Sequence, residues 1–189
     1  MKSKSDILVL MIKLGVICIV VSGLLALVNN ITSPIIEAND QKNFEESMKE
    51  VMPGGSFEKM ELDFTPEESG VKLESVYKAN GGFAVTTVCS EGYGGDVKVM
   101  VGINDDLTVN RVKIISMSET AGLGARASEE EFYGQYSGLR SGIGVEKNKG
   151  GKPENNTISA ISGATITSKA VTKAVNCALE AAKAGGAAK

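Results

Sequence analysis

The strongest constraint on the fold is an almost unbroken apolar run near the N-terminus, from Ile7 to Val28. A helix of 22 residues is about 33 Å long at 1.5 Å per residue, and the hydrocarbon core of a bilayer is about 30 Å thick. The run contains one charge, Lys13, which is close enough to one end for its amine to reach the nearer membrane surface. The sequence therefore predicts a transmembrane helix.

The charges on either side predict the orientation of this helix. Lys2 and Lys4 precede it, whereas the first cation after it is Lys42. The positive-inside rule then places the N-terminus in the cytoplasm and the remaining chain on the extracytoplasmic face of the membrane. A cleaved signal peptide is the alternative, but Lys13 interrupts its apolar core and Leu27-Val28-Asn29-Asn30 offers no Ala-x-Ala site. We therefore favour a retained, single-pass anchor.

We divide the chain into three parts: residues 1–30 as the N-terminus and anchor, 31–55 as a helical connector, and 56–189 as a soluble domain. In the connector, Ser33 and Pro34 are typical of the N-cap and first position of a helix. Apolar residues then recur at helical spacing, and Pro53-Gly54-Gly55 ends the pattern. The recurring residues are Phe44, Met48 and Val51 or Met52.

The soluble domain begins with short alternating runs that are typical of β-strands. They are Leu73–Tyr77, Phe83–Cys89, Val97–Ile103 and Val109–Ile115, the last two joined by the turn Asn104-Asp105-Asp106. Glu129–Leu139 is predicted to be a weak helix or irregular, and Ser141–Asn156 a loop. A final helix is predicted from about Ser168 to Ala184, ended by Gly185-Gly186. The expected class is α+β, with an antiparallel sheet and flanking helices.

Composition excludes several classes of function. The 189 residues contain no histidine, which excludes Ser-His-Asp catalysis and histidine metal sites. Cys18, Cys89 and Cys177 are far apart and form no Cys-x-x-Cys motif, so no metal site and no catalytic residue is predicted. A net charge of −3 without a basic cluster argues against nucleic acid as a partner.

One segment near the C-terminus combines hydroxyl groups with very small residues. It consists of Ser162, Gly163, Ala164 and Thr165, followed by Thr167 and Ser168. Hydroxyl groups before a helix usually cap its first N–H groups. The same helix terminus, with its free N–H groups and positive dipole, also suits a phosphate group. The residues alone leave both interpretations open.

Two glycine-rich segments precede this one. Gly92-Tyr93-Gly94-Gly95 comes before one strand, and Glu119-Thr120-Ala121-Gly122-Leu123-Gly124 follows another. By themselves they are turns, because glycine reaches positive φ without steric cost. Neither matches a phosphate loop, since no Gly-Lys-Ser/Thr follows.

Taken in this order, the three segments resemble the FMN-binding domain family. Its members include the G subunits of Rnf complexes and the C subunits of Na+-pumping NADH:quinone oxidoreductases. In that family a flavin transferase uses FAD to bond FMN to the threonine at the position of Thr165, releasing AMP. The resemblance extends from about Val71 to Ala184, and Ala121 stands where the family usually has proline.

The resemblance implies a membrane-anchored electron carrier that holds FMN through a threonine phosphoester in a ferredoxin:NAD+ oxidoreductase translocating Na+ or protons. Its partners would be the other subunits, the flavin transferase and membrane lipid. Thr120 would hydrogen-bond the flavin ring and Leu123 would pack on it. Two alternatives remain, the C subunit of a quinone reductase and a membrane-anchored binding or scaffold domain without flavin. The implied FMN contacts are Tyr93, Glu119, Thr120, Gly122, Leu123, Gly124, Ser162, Gly163, Ala164, Thr165, Thr167 and Ser168.

Overall fold

A computed structural model describes residues 4–54, 56–147 and 156–186 of the chain. It divides into two compact units, Met1–Asn43 and Phe44–Lys189. Lys2, Gly55 and positions 148–155 of the predicted loop lie outside the described residues. Apart from those positions, the expectations above can be compared with the structure element by element.

The first helix, α1, is Lys4–Val51, and it contains the predicted anchor. It is long and apolar enough to cross a membrane. The predicted helix start at Ser33 is wrong, because α1 continues through Pro34. A helix that has already formed does not need a new nucleus, so it can continue past a proline despite the lost hydrogen bond and the contact of the ring with the preceding turn. Ser33 Oγ instead donates to Glu37 Oε1 at 3.4 Å within the helix.

The second unit contains a five-stranded antiparallel sheet in which every strand pairs with its neighbour in sequence. The four predicted strands are confirmed, and each is longer than predicted. An additional edge strand was missed because its three residues, Glu-Lys-Met, show no alternation of apolar and polar side chains. The strands are β1 (Glu58–Met60), β2 (Val71–Ala79), β3 (Gly82–Cys89), β4 (Val97–Asn104) and β5 (Val109–Met117).

One face of the sheet packs against the C-terminal helix, α3, which is Thr165–Ala184. Small side chains on α3, such as Ala174 and Ala178, lie against the inward-facing valines of the strands. Thr87 Oγ1 in β3 donates to the Ala174 carbonyl at 3.0 Å, which ties the helix to the middle of the sheet. This helix and sheet bury most of the apolar core.

The opposite face of the sheet is covered by the last two turns of α1. Met48 and Val51 pack there with Met100 of β4, and the Phe44 and Tyr77 rings are 5.8 Å apart. Gly102 permits this contact, since a Cβ at that position would lie 2.1 Å from the Val51 carbonyl oxygen.

Between β5 and α3 the chain forms short helical segments and a second, small sheet. The predicted weak helix comprises α2 (Glu130–Tyr133) followed by a 3-10 turn, Gly134–Tyr136. The prediction of a loop over Ser141–Asn156 is wrong in part, because β6 (Gly144–Glu146) pairs in parallel with β7 (Thr157–Ser159). Ile158 of β7 is fully buried in the main core and Val145 of β6 packs against it, so one apolar residue holds each of these three-residue strands. With its antiparallel sheet and packed helices, the domain confirms the predicted α+β class.

Cys89 on β3 and Cys177 on α3 are buried free thiols at the interface between helix and sheet. Burial is the main cause that raises the pKa of Cys177 from 9.0 to about 12, and the negative charge of Glu180 is the second. Burial also raises the pKa of Cys89. We expect both thiols to resist iodoacetamide in the folded protein and to react in urea, as peptide mass would show. Reaction of both thiols in the folded protein would contradict their burial.

The raised thiol pKa also gives the stability of the fold a pH dependence. A thiol that stays protonated in the folded state contributes stability fully below pH 9.0, the ordinary pKa. That contribution is lost as the pH rises from 9.0 towards about 12, because the unfolded state releases its proton first. Cys177→Ala should therefore flatten the alkaline side of a melting-temperature profile.

Candidate functional site

Three loops meet at one edge of the sheet and enclose a cavity of about 520 Å³. Cys89 pairs with Val97, and Val97 with Met117, so the turn after β3 and the loop after β5 leave the sheet side by side. The third wall is the start of α3. The lining residues are Tyr93, Glu119, Thr120, Leu123, Gly124, Gly163, Ala164, Thr165, Ile166 and Thr167.

The cavity brings together nine of the twelve residues that the resemblance implied. The other three, Gly122, Ser162 and Ser168, do not line it. Gly122 has φ +76°, a turn conformation that favours glycine, and Ser162 is exposed. Ser168 is buried, and its hydroxyl donates to the Ala164 carbonyl at 2.9 Å and accepts from the Ile161 N–H at 3.0 Å. Its hydroxyl therefore fixes the loop before α3.

Thr165 is the first residue of α3, so the prediction that this helix begins near Ser168 is wrong by about one turn. The N-cap is Ala164, which has no side-chain acceptor, and within the described residues no side-chain cap bond closes this end. The first bond between turns is Ser168 N–H to the Ala164 carbonyl, at 3.0 Å. The interpretation of the hydroxyl groups as caps is therefore wrong, and the N–H groups of the first turn remain available to an anion.

Two of the lining residues each have a buried oxygen atom without a partner among the described residues: Glu119 Oε2 and Thr167 Oγ1. The other carboxylate oxygen, Glu119 Oε1, accepts the Gly94 N–H at 3.3 Å. Both orphan oxygens point towards Gly124. A Cβ on that glycine would lie 2.5 Å from Glu119 Oε2 and 2.7 Å from Thr167 Oγ1.

The rim of the cavity is apolar. In the described part of the second unit, the large apolar side chains that remain exposed are Tyr93, Leu123 and Ile166, at 72%, 45% and 54%. All three border the cavity. Leu123 also lies against Gly163, whose φ of +79° and missing side chain leave room for it. A concentration of exposed apolar side chains around one cavity is typical of a site for a small molecule.

Ile166 was not among the predicted site residues. Ile166 precedes the buried Ala170, Ala174 and Ala178 of α3 at four-residue intervals. The sequence pattern therefore indicated a core position, and it gave no signal that Ile166 borders the site.

Known proteins share the segment that builds this cavity. Residues 92–180, which contain all three loops, match the FMN-binding domain family model. The G subunit of the Na+-translocating ferredoxin:NAD+ oxidoreductase complex of Acetobacterium woodii is 36% identical over 186 residues, which cover 89% of each chain. This chain belongs to the G-subunit family. Two further G subunits align with 95% of this chain, that of Clostridium ljungdahlii at 31% identity and that of Methanosarcina acetivorans at 30%.

Solved structures with some similarity to this member of the G-subunit family include the C subunit of a Na+-translocating NADH-quinone reductase from Parabacteroides distasonis. It shares 23% identity and has a TM-score of 0.46, over 57% of this chain and 58% of that one.

Proposed function

We propose that the protein is the flavin-carrying G subunit of an Rnf-type complex and passes electrons between ferredoxin and NAD+ within an ion-translocating assembly. Membership of the G-subunit family supports a redox role inside such a complex, with its other subunits as partners. FMN is the cofactor that we propose, in agreement with the family match over residues 92–180. The relatives, aligned over most of their length, favour this function over that of a quinone-reductase component.

The observation that supports the proposal best is that the start of α3, which has no side-chain cap, lines a cavity large enough for a small-molecule ligand. Free N–H groups at a helix N-terminus bind phosphate, and Thr165 presents its hydroxyl there, half-buried. The volume of about 520 Å³ lies in the range of small-molecule sites, and the exposed rim offers apolar surface to an aromatic ring. FMN would supply the redox chemistry, while these residues hold and orient it.

We propose that the attachment is covalent and that Thr165 Oγ is the linking atom. The Thr165 oxygen would form a bond to the FMN phosphorus of FAD as the bond to AMP breaks, with loss of the hydroxyl proton. A flavin transferase is the partner for this step. The phosphoester would then retain the cofactor in an open cavity without tight non-covalent binding.

We further propose that α1 is a single-pass anchor with a cytoplasmic N-terminus, in contact with lipid and with the membrane components of the complex. The apolar helix supports the anchor, and the basic residues before it support the orientation. The FMN-binding domain would then face the extracytoplasmic side of the bacterial membrane. Cofactor released there could not be recovered from a cytoplasmic pool, which gives a covalent bond a physical purpose.

The test is to co-express the full chain with a flavin transferase and to look for fluorescence in a denaturing gel. We expect a fluorescent band at the mass of the chain, with FMN on the peptide that contains Thr165. Expression without the transferase is the control and should give no band. Covalent attachment would be rejected if this chain stayed non-fluorescent in cells where the same transferase attaches flavin to another of its substrates.

A further inference from the structure

The apolar part of α1 is longer than a membrane is thick. Large apolar side chains are exposed along α1 from Ile7 to Ile36, and the helix is unbroken over this stretch. At 1.5 Å per residue the stretch is about 45 Å long, whereas the hydrocarbon core of a bilayer is about 30 Å thick. The helix would have to tilt by about 50° to hide all of it, and transmembrane helices tilt by about 0–40°. Part of this apolar surface therefore lies outside the lipid.

Two amide side chains indicate which part that is. Asn29 and Asn30 directly follow the predicted span, and amide groups lie at the membrane surface at a lower cost than in hydrocarbon. Ile31, Ile35 and Ile36 then lie beyond the surface, and each is more than half exposed in the described structure. Ile35 is about 10 Å further along the helix than the end of the span, which exceeds the interfacial layer of about 5–8 Å. Without a protein partner these side chains would face water.

One line of large apolar side chains extends along α1 and across the membrane surface. Its members recur at alternating intervals of four and three residues, the spacing that keeps one face of a helix against a second helix packed alongside. All of them are exposed in the described structure. We call this line the α1 stripe, and it consists of Ile17, Val21, Leu24, Val28, Ile31 and Ile35.

Polar residues of the same part of α1 lie on the opposite face. Successive residues of a helix are separated by about 100° around its axis, so this set lies about half a turn from the α1 stripe. The set consists of Ser22, Asn29, Asn30, Ser33 and Glu37. Ser33 and Glu37 are joined by the hydrogen bond described above. The α1 stripe is therefore a separate face of the helix and not merely the result of an apolar composition.

The position of the α1 stripe selects the kind of partner. Lipid covers only its membrane part, and a protein outside the membrane reaches only Ile31 and Ile35. A helix that spans the membrane and continues past the surface covers both parts. A second copy of this chain fits poorly, because residues of a symmetric parallel pair meet their own counterparts. Lys42, seven residues after Ile35 on the same face, would then meet a second lysine.

We propose that the α1 stripe docks against a transmembrane helix of another subunit of the complex, and that this partner helix projects beyond the membrane beside Ile31 and Ile35. This inference rests on the proposed function, because the partner is a membrane subunit of the same complex. The contact attaches the chain to the complex through a surface that has no residue in common with the cavity.

The first test is photo-crosslinking in the purified complex. The amino acid p-benzoyl-phenylalanine is introduced in place of one residue at a time, Ile31 or Ile35 on the stripe and Asn30 or Ser33 on the opposite face. After irradiation, the two stripe positions should give a product with a membrane-spanning subunit. Peptide mass should place the crosslink at the end of an apolar segment of that subunit. The two positions on the opposite face should lose this product.

Four results of the crosslinking would overturn the proposal. A product with twice the mass of the chain would show that a second copy covers the stripe. A product with lipid alone, or with a subunit outside the membrane, would identify a different occupant. Equal yields from all four positions would show that the face is not selective, and the absence of any product from Ile31 and Ile35 would show that nothing packs there.

The second test weakens the contact and keeps the helix. Ile31→Gln combined with Ile35→Gln should lower retention of this chain on an affinity-tagged membrane subunit by about tenfold or more after detergent extraction, because two buried apolar side chains are lost. Ile36→Gln is the matched control, since this exposed isoleucine points about 100° away from Ile35. It should be retained like the parent chain. Full retention of the double variant, or an equal loss in Ile36→Gln, would contradict the stripe.

The docking surface and the covalent flavin can fail separately. The glutamine variants leave the cavity unchanged, so flavin on Thr165 should stay as fluorescent as in the parent chain. A chain that acquires the adduct, yet gives no product from the stripe positions, rejects the docking surface alone. A chain that gives this product but never acquires the adduct rejects covalent attachment alone.

Discussion

Thr165→Ala is expected to abolish covalent flavin completely while the domain remains folded. The side chain is half-buried at the first position of α3, and no side-chain hydrogen bond from it contributes to the helix cap. Its removal therefore leaves the packing of α3 on the sheet intact and takes away the atom that would bond the phosphorus. The measurement is in-gel fluorescence of the full chain co-expressed with a flavin transferase, with circular dichroism to show that the fold persists.

Two matched variants define the meaning of that result. Thr165→Ser keeps an oxygen at the same position and should retain some fluorescence. Thr65→Val removes an exposed threonine hydroxyl outside the cavity and should leave loading unchanged. Undiminished fluorescence in Thr165→Ala would show that another residue is the acceptor, and the nearest hydroxyl groups of the segment would then have to be examined by peptide mass.

Gly102→Ala is expected to destabilise the domain by about 1–3 kcal/mol, the typical range for overpacking a well-packed contact. The new Cβ would lie 2.1 Å from the Val51 carbonyl oxygen. That oxygen belongs to the backbone and also accepts the Asn110 side-chain N–H at 2.7 Å, so it cannot move without breaking this bond. The end of α1 must shift away from β4, and the Phe44–Tyr77 contact in the same cluster should loosen.

The measurement is a thermal melt of the full chain in detergent, followed by near-ultraviolet circular dichroism of its tyrosines. Gly134→Ala is the matched control, because its added Cβ has only an ordinary contact of 3.8 Å with the Glu130 side chain. It should melt close to the unmodified protein. An unchanged melting temperature for Gly102→Ala would show that the end of α1 does not rest on the sheet as described.

The sequence predicted the sheet well because inward-facing apolar residues recur at every second position of its strands. Val97, Val99 and Val101 of β4 all face the core, so an apolar residue at every second position gave both the strand and its buried face. The site was predicted from the resemblance of three segments to the FMN-binding domain family, because the glycine-rich segments by themselves indicate only turns. Residues such as Gly94 and Gly124 permit contacts that no side chain could, and these contacts are what bring Glu119 into the cavity.

Helix boundaries were less predictable, because they depend on which backbone bonds form rather than on residue type. Ser33 and Pro34 are typical of a helix start, yet α1 was already formed and continued through them. At α3 the hydroxyl-rich segment suggested a later start. The Ala164 N–H instead donates to the Ile161 carbonyl and Ser168 bonds back into the loop, so that Thr165 opens the helix.

The roles of individual site residues also needed the fold. Ser168 and Thr167 are adjacent and chemically alike, but the hydroxyl of Ser168 is hydrogen-bonded within the loop, whereas the buried hydroxyl of Thr167 has no partner among the described residues. The two hydroxyl groups differ in their partners because successive residues of a helix point in different directions around its axis.

The order of strands in the sheet has a consequence for how the protein matures. Every strand pairs with its neighbour in sequence, so the sheet closes through short loops, whereas α3 must be brought back over long stretches of chain, as between Thr87 and Ala174. Local pairings form sooner than distant ones, because less chain entropy is lost in closing them. We therefore expect α3, which contains the proposed acceptor Thr165, to dock after the sheet has formed. Flavin loading would then mark a chain that has finished folding, and an unfinished one would stay colourless.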